Sequence, residues 1–404
     1  MRLLHTSDWH LGRAFHGESL LQEQAAALDR IVAIAAEAQV DAVLIAGDLY
    51  DRAIPPAEAV QLFDATLRRL SETGATVVAI AGNHDSHVRV SVYDGLLAGL
   101  GVTIRGDPRR CDQPVLVEPK RGGAAVAVYP LPFLEPVLDG PLLLPADAGD
   151  PAMRLLCGEG TRLRHAEVTR LALDRIRADL AGRSAGLRGC RSVVVAHTFV
   201  AGGAGSESER ELSVGNVDVV PVAAFSGFDY VALGHLHGSQ QLDGPRLAYS
   251  GTPLPYSFSE ERQCKSVRLV ELAADGTPVV EIVPLGVGRP LRTLEGTLEQ
   301  LLADPDLEPA RQARLRILLS DERLPLQAKA RLQSRFPHIA ELRHRPPLLA
   351  GAGGEGRIAR IEAATTPLER ALAFYAEQQG RPAQPGEAAL LRQALEAAGR
   401  GGER

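Results

Sequence analysis

Five short segments strung across the first 240 residues carry the side chains best suited to metal chemistry. They are Asp8-Trp9-His10, Gly47-Asp48-Leu49-Tyr50-Asp51, Gly82-Asn83-His84-Asp85, Ala196-His197 and Gly234-His235-Leu236-His237. Two aspartates, an amide and four histidines offer oxygen and imidazole nitrogen but no thiolate, a donor set suited to Mn²⁺, Fe²⁺ or Zn²⁺ rather than to Ca²⁺ or a sulfur-bound zinc. Seven donors exceed what one such ion takes. They fit two ions sharing a carboxylate, an arrangement in which metals roughly 3.5–4 Å apart polarise a phosphoryl oxygen and activate a water. A lone histidine near a strand end is usually just a hydrogen-bonding residue, and His5, His16, His87, His165, His338 and His344 show no such ordering.

The elements needed to position these segments are legible beside them. Each segment follows a β-forming run: Leu3-Leu4-His5-Thr6, Ala42-Val43-Leu44-Ile45, Thr76-Val77-Val78-Ala79-Ile80, Val193-Val194-Val195 and Tyr230-Val231-Ala232-Leu233. The chemistry is therefore expected where strands end, at the carboxyl edge of an α/β sheet, where such folds hold ligands. Amphipathic helices are predicted near 19–38, 56–73 and 162–181, so residues 1–285 read as an α/β, two-sheet sandwich flanked by helices. Leu62, Leu67 and Leu70 mark one apolar helix face, for packing on the sheet or for a partner.

The ordered set D-x-H, G-D-x-x-D, G-N-H-D, x-H, G-H-x-H resembles the calcineurin-like metallophosphoesterases. The longer strings Thr6-Ser7-Asp8-Trp9-His10-Leu11-Gly12, Gly82-Asn83-His84-Asp85-Ser86 and Tyr249-Ser250-Gly251-Thr252-Pro253 look like the SbcD branch, bacterial relatives of the Mre11 exonucleases. The resemblance implies one metal on Asp8, His10 and His237, a second on Asn83, His197 and His235, and Asp48 bridging them, with Mn²⁺ the expected ion. It implies that His84 is catalytic without binding metal, protonating the departing oxygen or steadying the phosphate. Asp51 is expected to orient His84 through its carboxylate, which would raise the imidazole pKa; Mre11 relatives from archaea and eukaryotes carry histidine there. Asp51 capping the following turn is the plainer alternative. Asp85 reads either as support for the loop or as a turn residue.

Composition bounds the rest. The chain has 404 residues, 45% hydrophobic and 23% charged, as in ordinary globular proteins of two or three domains. No apolar run approaches the ~20 residues of a membrane span, and Cys111, Cys157, Cys190 and Cys264 lack metal or disulfide spacing, so a cytoplasmic protein with reduced thiols is expected. A net charge of −6 and a pI near 6.0 exclude a generally basic nucleic-acid coat but not a local basic groove. Arg13, Arg52 and Arg89, each beside a metal motif, are the candidates for phosphate contacts.

Two loops stand out: 139–160, rich in Pro, Gly, Asp and Ala, reads as a surface insertion, and 201–216 must start beside His197. Residues 286–345 resemble a small α+β capping domain that helps hold DNA. The Gly/Pro-rich stretch 346–365 reads as a flexible linker. Two amphipathic helices are predicted in 366–404, the first opening at Thr366-Pro367 with Leu368, Ala371, Leu372 and Tyr375 on one face, the second with Leu391, Ala394, Leu395 and Ala398. The resemblance implies that they dock on an SMC-type ATPase of the SbcC or Rad50 kind; the chain has no G-x-x-x-x-G-K-[ST] loop of its own. The function expected is that of a homodimeric, metal-dependent nuclease subunit. Its implied activities are 3′-to-5′ exonuclease on duplex ends and endonuclease on single strands and hairpins, in DNA replication, repair and recombination. A small-molecule phosphoesterase and a mainly structural DNA-positioning subunit are the alternatives.

Overall fold

The computed structural model describes residues 1–144, 163–186, 190–209, 219–346, 366–379 and 381–401. The chain divides into two compact units. The first comprises Met1–Thr293, Asp306–Arg316 and Phe336–Glu341; the second comprises Leu294–Pro305, Ile317–Arg335 and Leu342–Arg404.

Two six-stranded sheets build the first unit. One runs in the order Pro278–Pro284, Ser266–Leu272, Arg2–Thr6, Ala42–Ile45, Thr76–Ile80, Val102–Arg105. The other runs Gln240–Asp243, Leu247–Tyr249, Tyr230–Gly234, Arg191–His197, Val126–Leu131, Val115–Val117. The four strands from Arg2–Thr6 to Val102–Arg105 are mutually parallel, as are Leu247–Tyr249, Tyr230–Gly234, Arg191–His197 and Val126–Leu131.

Parallel strands buried on both faces read as unbroken apolar runs, and the alternation of side chains assigns each residue a layer. Leu3, Leu44, Val78 and Ile80 point inward against Val126, Val128, Val193, Val195, Tyr230 and Ala232 of the facing sheet. Their neighbours Leu4, Val43, Ile45 and Val77 point outward onto helices Leu21–Glu37 and Ala57–Glu72, where they meet Leu28, Ile31, Phe63, Leu67 and Leu70. On the far side, Val194, Ala196, Val231 and Leu233 pack on Val168, Ala172, Leu173 and Ile176 of helix His165–Gly186. Each Val, Leu, Ile or Phe among them, when buried completely, contributes about 1.5–3 kcal/mol. The expected sandwich with flanking helices is present, and Leu67 and Leu70 serve its core. The stretch 139–160 differs from expectation at its start: Asp139 lies in helix Pro136–Leu143, opened by a proline whose missing N–H costs nothing in a first turn. The remainder, 145–160 with Cys157, lies outside the described residues.

A three-stranded sheet, Leu291–Gly296, Arg314–Leu319 and Ile339–His344, follows, with helices Leu298–Ala303 and Ala328–Gln333. Linker residues 347–365 lie outside the described residues. Helix Pro367–Gln379 begins with a reciprocal cap, Glu369 N–H to Thr366 Oγ1 at 3.2 Å and Thr366 N–H to Glu369 Oε2 at 2.9 Å. Helix Pro385–Gly401 is the last described element, and Phe374 and Leu390 on the pair are exposed. No helix among the described residues is long and apolar enough to cross a membrane.

Candidate metal centre

Because the strands run parallel, their carboxyl ends deliver all five segments to one edge. Backbone bonds zip the first two together: Asp8 N–H to Gly47 O at 3.0 Å, His10 N–H to Asp48 O at 2.9 Å. His235 N–H reaches the Asp8 carboxylate at 2.9 Å. A Cβ on Gly47 would strike the His197 ring, and one on Gly234 would strike Ala46 O, so these motif glycines exist for close approach. Asp8, His10, Asp48 and His235 all adopt positive φ, at 54°, 45°, 48° and 104°. Such backbone costs roughly 1–3 kcal/mol per residue and persists at sites where surrounding structure enforces it.

The donors fall into two groups around one carboxylate. Asp8, His10 and His237 converge, with His10 Nε2 3.1 Å from His237 Nε2. Opposite, Asn83 Oδ1 lies 2.9 Å from His197 Nε2 and 3.2 Å from His235 Nδ1. Asp48 Oδ2 stands between them, 3.6 Å from His10 Nε2 and 3.5 Å from His197 Nε2.

The donor set fits divalent cations on two counts. Asp8 and Asp48 are buried, and among the described residues neither has a Lys or Arg ion pair, so their charge calls for a cation in place. Asn83 turns its oxygen to the cluster although its buried Nδ2 then finds no acceptor. Burial pushes Asp8 up to about 6. For Asp48 burial is opposed and outweighed by His197, His10 and His84, which hold its carboxyl well below the usual range. For His197 burial disfavours the charged form, but Asp48 overcomes it and lifts the imidazole to about 9.

His84 lies at the rim, its ring edge-on to His10 with centroids 4.7 Å apart, and its backbone N–H donates to Asp48 Oδ1 at 2.9 Å. The expected link to Asp51 takes another form. His84 Nδ1 donates to the Asp51 backbone carbonyl at 2.9 Å, while the Asp51 carboxylate faces Arg13 at 3.3 Å and His10 Nδ1 at 3.7 Å. The contact from Asp51 to the imidazole is thus its main-chain carbonyl, while its carboxylate pairs with Arg13.

Asp85 accepts from the N–H groups of Leu49, Tyr50 and Gly82 at 3.0, 3.0 and 2.9 Å, tying the second and third segments together. Burial and the nearby Asp48 charge push it up to about 7 against those three donors. Arg13 is no free phosphate ligand: besides Asp51 it binds Ser208 O at 2.9 Å and lies over the Tyr256 ring. Arg52 and Arg89 are exposed. Sequence reading missed Gln24, whose amide binds the carbonyls of Trp9 and His10 at 3.2 and 2.7 Å, and also missed Ser208, Glu260 and Lys265 around His237. None has a spacing signal, because Gln24, Ser208 and the Glu260 to Lys265 segment reach the centre from different parts of the chain.

Donors converging from strand ends around the Asp48 carboxylate form a candidate metal centre of a phosphoesterase. The chain belongs to the calcineurin-like phosphoesterase family, whose sequence model matches residues 1–239. Within that family its relatives are specific. The SbcD subunit of nuclease SbcCD from Bacillus subtilis (strain 168) is 35% identical over 301 residues, spanning 72% of this chain and 71% of that protein. Its counterpart in the SbcCD nuclease of Escherichia coli (strain K12) is 32% identical over 311 residues, spanning 75% and 73%. The chain belongs with these nuclease subunits.

Proposed function

We propose that this protein is the metal-dependent DNA nuclease subunit of an SbcCD-like complex, with Asp8, His10 and His237 holding one Mn²⁺, Asn83, His197 and His235 a second, and Asp48 bridging. The observation that carries this reading is the placing of Asp48 Oδ2 within 3.6 Å of an imidazole nitrogen from each group. Bound there, the ions would supply Lewis-acid polarisation of a phosphoryl oxygen and a lowered pKa for a water. The protein's own contribution is orientation. Nδ1–H of His84 is committed to the Asp51 carbonyl, which leaves Nε2 to meet the departing 3′ oxygen and give it a proton. Asp85 keeps the Asp48 and Asn83 loops in register, and Gln24 keeps the Asp8-to-His10 loop from relaxing.

The substrates we propose are duplex ends, cut 3′ to 5′, and single strands and hairpins, in the cytoplasm, in DNA replication, repair and recombination. The partner we propose for helices Pro367–Gln379 and Pro385–Gly401 is an SMC-type ATPase of the SbcC kind, their exposed Phe374 and Leu390 supplying apolar contact. A homodimer is supported by an uncovered apolar run after the third segment, in which Val88, Val92, Tyr93, Leu96 and Leu100 are 62–77% exposed.

The test is cleavage of an end-labelled hairpin duplex in Mn²⁺ by the intact chain, by His84→Gln and in chelator. Release of nucleotides that both controls abolish supports the nuclease reading. Turnover of a small chromogenic phosphodiester with none of DNA, even after adding the ATPase, would favour a small-molecule phosphoesterase.

A further inference from the structure

The loop that leaves the end of strand Arg191–His197 returns to the centre at residues 206–209 and grips His237 twice. Glu209 Oε1 accepts the His237 backbone N–H at 2.7 Å. Ser208 Oγ lies 2.5 Å from His237 Nδ1, and the same hydroxyl bonds Glu260 Oε1. Glu260 is 1% exposed, and its other oxygen takes Lys265 Nζ at 2.5 Å. Lys265 in turn donates to His237 O at 2.9 Å and Thr252 Oγ1 at 2.8 Å.

The direction of this chain is set by its end. Glu260 faces the Lys265 ammonium in a buried ion pair, so it stands as a carboxylate and can only accept. Ser208 must then give its proton to Glu260 and accept with its lone pair, so His237 Nδ1 carries the hydrogen and donates. The hydrogen-free nitrogen is Nε2, the one facing His10 Nε2 at 3.1 Å within the Asp8, His10, His237 group. Ligand histidines are generally fixed in tautomer and orientation by a bond at the other ring nitrogen. Here that bond comes from a glycine-bearing loop, not from a strand.

We propose that Ser208 and Glu260 are positioning residues for His237, which makes the 206–209 segment part of the centre. Arg13 extends the coupling. Its guanidinium holds Ser208 O at 2.9 Å and the Asp51 carboxylate at 3.3 Å, and the Asp51 carbonyl holds His84. Loop docking, the His237 ring and the His84 ring are thereby one connected unit. This inference rests on the metal-centre reading above, and the test separates the two.

Mn²⁺ titration calorimetry on the full-length chain, with melting of the metal-free protein alongside, compares wild type with Ser208→Ala, Ser208→Thr and Glu260→Gln. Removing an outer-sphere partner of a ligand histidine lowers metal affinity about 10–100-fold. Ser208→Ala is expected to weaken one of two ions by that factor, leave the other, and keep the metal-free melting temperature. Ser208→Thr, which retains the hydroxyl, is expected to restore binding, and Glu260→Gln to weaken the same ion as Ser208→Ala. Two ions bound by wild type and by Ser208→Ala with affinities within about twofold would overturn the inference alone, as would failure of Ser208→Thr to restore the lost affinity. A wild-type chain that takes up no ion overturns the metal centre, and this inference with it.

Discussion

The contact between His84 and Asp51 makes a prediction that separates main-chain from side-chain orientation of the imidazole. Asp51→Asn keeps the backbone carbonyl that accepts from His84 Nδ1 at 2.9 Å and removes only the carboxylate charge facing Arg13 at 3.3 Å. That ion pair is partly exposed, with side chains 17% and 22% accessible, so its loss is worth no more than about 1 kcal/mol, or under tenfold in rate. His84→Gln removes the proton donor itself. General acid catalysis contributes typically ~10²–10⁴-fold, about 3–5 kcal/mol of barrier, and that is the expected fall in kcat. The assay is Mn²⁺-dependent turnover of a chromogenic phosphodiester and of hairpin DNA, with metal stoichiometry checked for each variant. A loss for Asp51→Asn as deep as that for His84→Gln, both with full metal content, would refute the reasoning and return orientation to the carboxylate.

Further outcomes follow from other parts of the structure. Asp48→Asn, which removes the charge between the two donor groups, is expected to abolish Mn²⁺-dependent hydrolysis and to cut bound metal from two ions, as read by elemental analysis after desalting. Metal uptake should release protons. His197 holds a proton up to about 9 in the metal-free chain, and a ligand nitrogen must be free of it. Apparent Mn²⁺ affinity should therefore rise between pH 6.5 and 8.5, here about tenfold per unit, and pH-independent calorimetric affinity would count against it. Leu96→Glu with Leu100→Glu places charge in the exposed apolar run and is expected to shift the chain to monomer in sedimentation velocity while leaving phosphodiester turnover intact. Leu44→Ala, between the two sheets, should cost about 2–5 kcal/mol and lower the melting temperature without altering metal stoichiometry.

The sequence by itself determined the chemistry and its approximate address. Side-chain type fixes what a donor can bind, and unbroken apolar runs such as Ala42-Val43-Leu44-Ile45 state that the strands are buried on both faces, so the segments after them must meet at one edge. Helix limits were legible for the same reason: Leu21–Glu37 and Ala57–Glu72 fall within the ranges that periodicity predicts. Tertiary structure alone decided which neighbour each polar group chose. Asp51 and Asp85 have the same side chain and both follow a motif glycine, yet one spends its carboxylate on Arg13 and the other on three amides. Ser208, Glu260 and Lys265 joined His237 from positions that sequence separates. Long-range polar contacts depend on where the packed strands bring loop ends to rest, and no local pattern encodes that distance.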